Sequence, residues 1–298
     1  MFRIAHISDL HLAPLPPLRL HELMSKRIWG RLHWMLRRRH VHRPQVLDAL
    51  RADLARQQPD HLCITGDLTN LALPAEFDCA RDWIAGLGLS EERLSVIPGN
   101  HDAYVPGALT RGMPVWQRWM RDDEGRVGFP FLHRRGPVAI VGLSSAHATP
   151  PGFAAGWLDR AQMARLTTLL EDLQQRDAAR ILLIHHPPQE SDAPARSALW
   201  GRRRLQALLH RHPVDLVLHG HAHRPLAAML GDRNGPIPVR GAGSASRDAA
   251  DGNPAHYQLI GIDRPGGGGK WRIEIRHRRY DRDRGGFVNA GAESIGAP

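Results

Sequence analysis

The sequence predicts an α/β fold, and three observations predict it. Short runs rich in Ile, Val and Leu alternate with longer segments whose apolar residues recur at helical spacing. Five of the short runs lead straight into Asp, Asn or His, the pattern expected where strand ends aim side chains into one crevice. At 298 residues, the chain is also long enough for one large domain with a well-buried core.

Residues 3–7 read as the first strand, ending at Asp9. Pro44 then opens a helix, because Val46, Leu47, Leu50 and Leu54 share one face and proline is preorganised for a first helical position. Strand 61–65 ends at Gly66-Asp67, and a helix over 74–84 stops near Gly86 and Gly88. Strand 94–97 runs into Pro98-Gly99-Asn100-His101-Asp102. After strand 138–143 comes a helix over 159–175, with Met163, Leu166, Leu169, Leu170 and Leu173 as its apolar stripe. Strand 180–184 ends at His185-His186-Pro187-Pro188, a helix covers 202–211, and strand 214–218 delivers His219-Gly220-His221-Ala222-His223. Beyond this point 238–243, 257–262 and 272–278 read as strands without intervening helices, which predicts a second, partly antiparallel sheet. One domain over 1–283 accounts for these elements; the Gly- and Ala-rich stretch 284–298 has little to bury and is expected to be mobile or loosely packed.

Composition narrows the function classes. No apolar run approaches the roughly 20 residues needed to cross a bilayer, and Arg3 falls too early for a signal peptide, so a cytoplasmic location is expected. Cys63 and Cys79 match neither a zinc spacing nor a disulfide framework. The formal charge of +10 points to an anionic partner. Much of it sits in 18–43, where Arg19, Lys26, Arg27, Arg31, Arg37, Arg38, Arg39 and Arg43 face Glu22 alone. Leu20, Met24, Ile28, Leu32 and Met35 fall on one side of a helical wheel there, with Trp29 and Trp34 nearby and Gly30 as a candidate break. The insert therefore reads either as an interfacial helix on an anionic membrane or as a helical flap or dimer contact with solvated arginines.

Asp9-x-His11 and His221-x-His223 each place two side chains on one side of an extended segment. With Asp67, Asn100, His101, Asp102, His185 and His186, they make an oxygen-and-imidazole donor set without thiolate, which suits Mn, Fe, Zn or Co. Two ions roughly 3.5–4 Å apart need a bridging carboxylate, and Asp67 is the candidate.

In this order the five blocks resemble the calcineurin-like metallophosphoesterase superfamily, nearest to its bacterial cyclic-nucleotide phosphodiesterase branch, over residues 1–243. The resemblance implies a four-layer αββα sandwich, here with a basic helical insert after the first strand. It implies that Asp9, His11, Asp67 and His223 hold one ion, and Asp67, Asn100, His185 and His221 the other, most readily Mn or Fe. His101 would contact the scissile phosphate and protonate the leaving oxygen, while Asp102 completes its motif. His186 and His219 sit beside ligands and read as supporting or packing residues, and His147 is a loop histidine that could line the pocket. Metal-activated water would then attack phosphorus in line, with no protein nucleophile. A cyclic nucleotide or another small diester is the expected substrate; the alternative is a lipid-linked pyrophosphate such as UDP-diacylglucosamine, cut by a membrane-peripheral enzyme. A non-catalytic scaffold or an electrostatic nucleic-acid binder is the reading from another class, and no sequence-specific nucleic-acid recognition is expected. Neither a Walker loop nor a nucleophile-elbow Ser is present.

Overall fold

The structure, a computed structural model, describes residues 1–19, 22, 25–36, 38–189, 194–231, 235–248, 252–264 and 269–295. Of the residues singled out above, Leu20, Met24, Arg37 and the end of the tail, 296–298, lie outside them.

Strands β1 (Phe2–Ile7), β2 (His61–Ile64) and β3 (Leu94–Val96) alternate with helices α1 (Arg27–Leu36), α2 (Pro44–Gln57) and α3 (Pro74–Ala85). There follow α4 (Ala108–Trp116), β4 (Phe131–Arg135), β5 (Val138–Gly142), β6 (Gly156–Trp157), α5 (Arg160–Gln174), β7 (Ala179–Leu183), β8 (Leu199–Trp200), α6 (Arg202–Arg211) and β9 (Leu216–His219). The chain closes with β10 (Leu226–Leu230), β11 (Ile237–Gly241), β12 (His256–Asp263), β13 (Arg272–Asp281) and β14 (Gly286–Ile295). One six-stranded sheet has the order β14-β13-β12-β1-β2-β3, and the other β10-β11-β9-β7-β5-β4.

The period-2 alternation of the second sheet shows how the layers stack. Ile140, Ile181, Leu183, Leu216 and Leu218 pack into one apolar cluster with Ile4, Ile7, Ile64 and Val96 of the first sheet. Their alternates Val141, Leu182, Val217 and Val239 belong to a second cluster with Leu166 and Leu170 of α5 and Leu205 and Leu209 of α6. On the far side of the first sheet, Val46, Leu47, Leu50 and Leu54 of α2 bury the stripe read from the sequence. The result is the αββα sandwich.

Two expectations need correction. The C-terminal strands do not form a sheet of their own. β11 joins β9 in parallel in the second sheet, whereas β12 pairs antiparallel with β1, Ile4 opposite Ile260, and extends the first. Nor is the segment from Arg284 a loose tail, because β14 lies antiparallel against β13, with Ile273 opposite Ile295 and Tyr280 opposite Phe287. Backbone pairing at a sheet edge needs little apolar burial, so a Gly- and Ala-rich run serves there; Phe287 supplies its one buried large side chain.

The insert is docked on the body of the protein. In α1 the buried Arg27 donates to the carbonyls of Leu71 (2.9 Å) and Ala72 (2.5 Å). Gly30 does not break this helix. A Cβ there would come within 2.5 Å of both Leu71 and the Tyr104 hydroxyl, so glycine is what permits the close approach.

Candidate metal centre

The carboxyl ends of β1, β2, β3, β7 and β9 converge where the two sheets meet, and an isolated parallel bridge between Ser8 and Ser244 ties the end of β1 to the segment that follows β11. Five of the predicted ligands leave their strands in left-handed backbone conformations: Asp9 (φ 53°), His11 (40°), Asp67 (55°), His221 (69°) and His223 (54°). Non-glycine residues rarely adopt this region, and such strain gathers where a fold holds functional groups in place.

Asp9, His11, Asp67 and His223 offer donor atoms that all lie within 4.8 Å of one another. The Nε2 atoms of His11 and His223 face each other at 3.1 Å. Beside this set, Asn100 Oδ1 lies 3.2 Å from His185 Nε2 and 2.9 Å from His221 Nδ1. Asp67 belongs to both groups, since its Oδ2 lies 3.4 Å from His185 Nε2 and 3.7 Å from His11 Nε2. The donor chemistry fits divalent cations: Asp9 Oδ1 is buried, with His223 Nε2 3.2 Å away but without a hydrogen bond of regular geometry, a costly state for a carboxylate oxygen unless a cation satisfies it.

Oxygens outside the cluster orient the rings. Nδ1 of His11 reaches the Thr69 carbonyl (3.1 Å), Nδ1 of His185 that of Thr65 (2.6 Å), and Nε2 of His221 that of Ser197 (2.9 Å). Each bond places the proton on the outer nitrogen and turns the inner one toward the cluster.

The charges interlock. Burial opposes ionisation of Asp67, but His185, His101 and His11 outweigh it and hold the carboxyl well below its ordinary range. Asp9 is likewise lowered, against its burial, by His223 and His185. Conversely, His185 rises to about 9 because Asp67 and Asp9 overcome its burial. A ligating imidazole must be neutral, so metal uptake at His185 would expel that proton. His221 falls to about 4, through burial and then through the charge on His185.

The remaining candidates divide by what they touch. His101 donates Nδ1 to the Asn70 carbonyl at 2.6 Å, and its ring stacks on Tyr104 at 5.5 Å and meets His11 edge-on at 4.9 Å. The cavity beside it, about 210 Å³, is lined by Lys26, Trp29, Trp34 and Tyr104. Asp102 is fully buried and lies outside the donor cluster; it accepts hydrogen bonds from the backbone of Asp67, Leu68, Thr69 and Gly99. His186 spends both ring nitrogens on Ser145 and Ala154, and His219 bonds the Gly220 carbonyl, so both support the site from outside. His147 stands apart, half-buried, with its ring 6.2 Å from that of Trp200.

Sequence reasoning missed His42 and Tyr104, and read Lys26 only as part of the insert's charge. Their signals were submerged in the insert's charge and in a loop without a motif. His42 is the residue of most consequence, since it shares the cluster of His11 and His223.

Comparison with known proteins identifies the family. The model of the calcineurin-like phosphoesterase family matches residues 2–225. A protein named probable cyclic nucleotide phosphodiesterase from Synechococcus sp. is 28% identical over 234 residues, covering 74% of this chain and 73% of its own. A glycerophosphodiester phosphodiesterase from Enterobacter lignolyticus is 30% identical over 179 residues, 56% of this chain and 57% of its own. Among solved structures, a dimetal phosphatase from Danio rerio shares the fold with a TM-score of 0.63, at 14% identity over 97% of this chain and 98% of that one. With the family pattern spanning every strand that carries a candidate ligand, the chain belongs to the calcineurin-like phosphoesterases, hydrolases of phosphoester bonds.

Proposed function

We propose that the chain hydrolyses a small phosphodiester, a cyclic nucleotide or a comparable diester, at a centre of two divalent ions. The observation that carries this reading is Asp67, whose Oδ2 lies within 3.7 Å of His11 in one donor group and 3.4 Å of His185 in the other. Asp9, His11, Asp67 and His223 would hold one ion, and Asp67, Asn100, His185 and His221 the other, with Mn and Fe best matched to mixed carboxylate, amide and imidazole donors. Such ions supply a hydroxide nucleophile near neutral pH and draw charge from the phosphoryl oxygens. The protein's own part is to position and to protonate. As the bond from water oxygen to phosphorus forms and the ester bond breaks, the departing oxygen needs a proton. His101, with Nδ1 committed to the Asn70 carbonyl, can deliver one from Nε2. The adjoining cavity would take the leaving group, between the Trp29 and Tyr104 rings and the Lys26 ammonium.

His101→Ala should therefore lower kcat by about 10²–10³-fold on an alkyl diester, and far less on a nitrophenyl diester whose leaving group needs no proton. Equal losses on both would count against an acid role.

A second reading has its own support. On α1, Ile28, Leu32, Met35 and Leu36 expose 54%, 48%, 42% and 69% of their surface, beside Trp29 at 65%. An apolar stripe among arginines suits an anionic lipid surface, and with it a lipid-linked pyrophosphate as substrate in a membrane-peripheral enzyme. The deciding experiment is a panel of monoesters, linear and cyclic diesters and lipid pyrophosphates, assayed with Mn and after chelation, together with co-sedimentation on anionic vesicles. Diester turnover lost on chelation supports the first reading. Turnover confined to vesicle-borne pyrophosphate selects the second, and activity that survives chelation sinks both.

A further inference from the structure

His42 lies at the end of the basic insert, two residues before α2, and is 3% exposed. Its ring centroid is 4.7 Å from that of His11 and 5.9 Å from that of His223. One ring nitrogen from each of the three histidines lies within 4.8 Å of the other two, the same limit that the group of Asp9, His11, Asp67 and His223 meets. The two groups are separate and share His11 and His223. Donors about 2.1 Å from a common ion stand roughly 3 Å apart when adjacent and about 4.2 Å when opposite, so His42 would reach that ion by turning its ring toward Asp9 and Asp67.

The backbone holds His42 there. Arg43 N donates to the Ser246 carbonyl (3.0 Å) and Asp248 N to that of Val41 (2.8 Å), on either side of an antiparallel bridge between His42 and Arg247. The loop it pairs with is itself fastened to the first ligand, because Ser244 Oγ donates to the Asp9 carbonyl (2.7 Å) and Ala245 N to that of Ser8 (2.9 Å). His42 and Asp9 thus share one hydrogen-bonded frame. Finally, His42 Nδ1 lies 2.7 Å from Ser246 Oγ, a hydroxyl that, as acceptor, would orient this ring as the backbone carbonyls orient His11, His185 and His221.

We propose that His42 is an additional ligand of the ion held by Asp9, His11, Asp67 and His223, an inference that rests on the two-ion reading above. With Nδ1 in the Ser246 bond, the coordinating atom is Nε2. The consequence is asymmetry: one ion gains five protein donors and the other keeps four, so the first is retained more tightly and the second exchanges. The basic insert then ends inside the metal centre rather than merely covering it.

The test uses the full-length protein stripped of metal and titrated with Mn²⁺ by calorimetry, then loaded with Co²⁺ for its visible spectrum. His42→Gln should weaken the tighter binding step by about 10–100-fold and leave the weaker step alone. The Co²⁺ bands should gain intensity as the coordination number falls. Ser246→Ala should shift the tight step in the same direction by a smaller factor. Both steps unchanged in folded His42→Gln, judged by circular dichroism, overturns the proposal; if that variant does not fold, an unchanged tight step in Ser246→Ala does so. Asp9→Ala separates the two levels. Wild-type binding in that variant sinks the metal centre itself, whereas loss in Asp9→Ala beside intact binding in His42→Gln sinks only the role of His42.

Discussion

Replacing Asp67 with alanine is expected to lower kcat by at least about 10³-fold, close to 4 kcal/mol of transition-state stabilisation, and to empty both metal positions rather than one. The carboxylate is 1% exposed, and its two oxygens do different jobs. Oδ1 accepts from the backbone N–H of His101 at 2.7 Å, which fixes the group against the loop that follows β3. Oδ2 faces His11 and His185 together, so its removal costs each donor group a member and leaves two positive centres without the charge that offsets their repulsion. Asp67→Asn is the informative partner variant. It keeps the acceptor for His101 N and the side-chain volume while giving up the charge. Rates and bound metal measured on both variants settle the point: metal content falling in parallel in the two is the expected result, and a full complement of metal with more than a tenth of the wild-type rate would falsify the bridging role.

Much of the candidate site was legible because side chains at strand ends are written locally. Asp9-x-His11 and His221-x-His223 each need only a strand before them and one intervening residue. The αββα layering was reachable only through the resemblance, since periodicity does not tell which sheet a strand joins. β12 belongs beside β1 because of a register formed across more than 250 residues, and nothing in its own sequence says so. β14 was missed for a related reason: an edge strand held by backbone bonds carries a weak side-chain signal, and its run of Gly, Ala, Asn and Ser resembles a tail. His42 was hidden in the same way. Its surroundings come from Ser246, 204 positions away, while in sequence it sits between Val41 and Arg43 at the end of an arginine-rich run.

Asp102 shows how a motif residue can matter without touching the chemistry, and Asp102→Ala is expected to destabilise the fold by roughly 3–5 kcal/mol, lowering the melting temperature by roughly 5–10 °C. Oδ2 accepts from the backbone N–H groups of Asp67 (2.9 Å) and Gly99 (2.8 Å). Oδ1 accepts from Leu68 N (3.1 Å), Thr69 N (2.9 Å) and the Thr69 hydroxyl (3.0 Å). One carboxylate therefore clamps the loop bearing Asp67 to the loop bearing Asn100. Burial and the nearby charge of Asp67 push its carboxyl up to about 7, against the five donors that favour the ionised form. Asparagine cannot take its place. Whichever oxygen became an amide, its N–H₂ would meet at least two N–H donors, so Asp102→Asn should fall nearly as far as the alanine variant. Thermal unfolding with and without Mn²⁺ separates this role from a catalytic one. A clamp predicts lost stability and lost metal together, with glutamate too long to restore either; a proton-transfer role predicts wild-type stability and metal content with only the rate reduced.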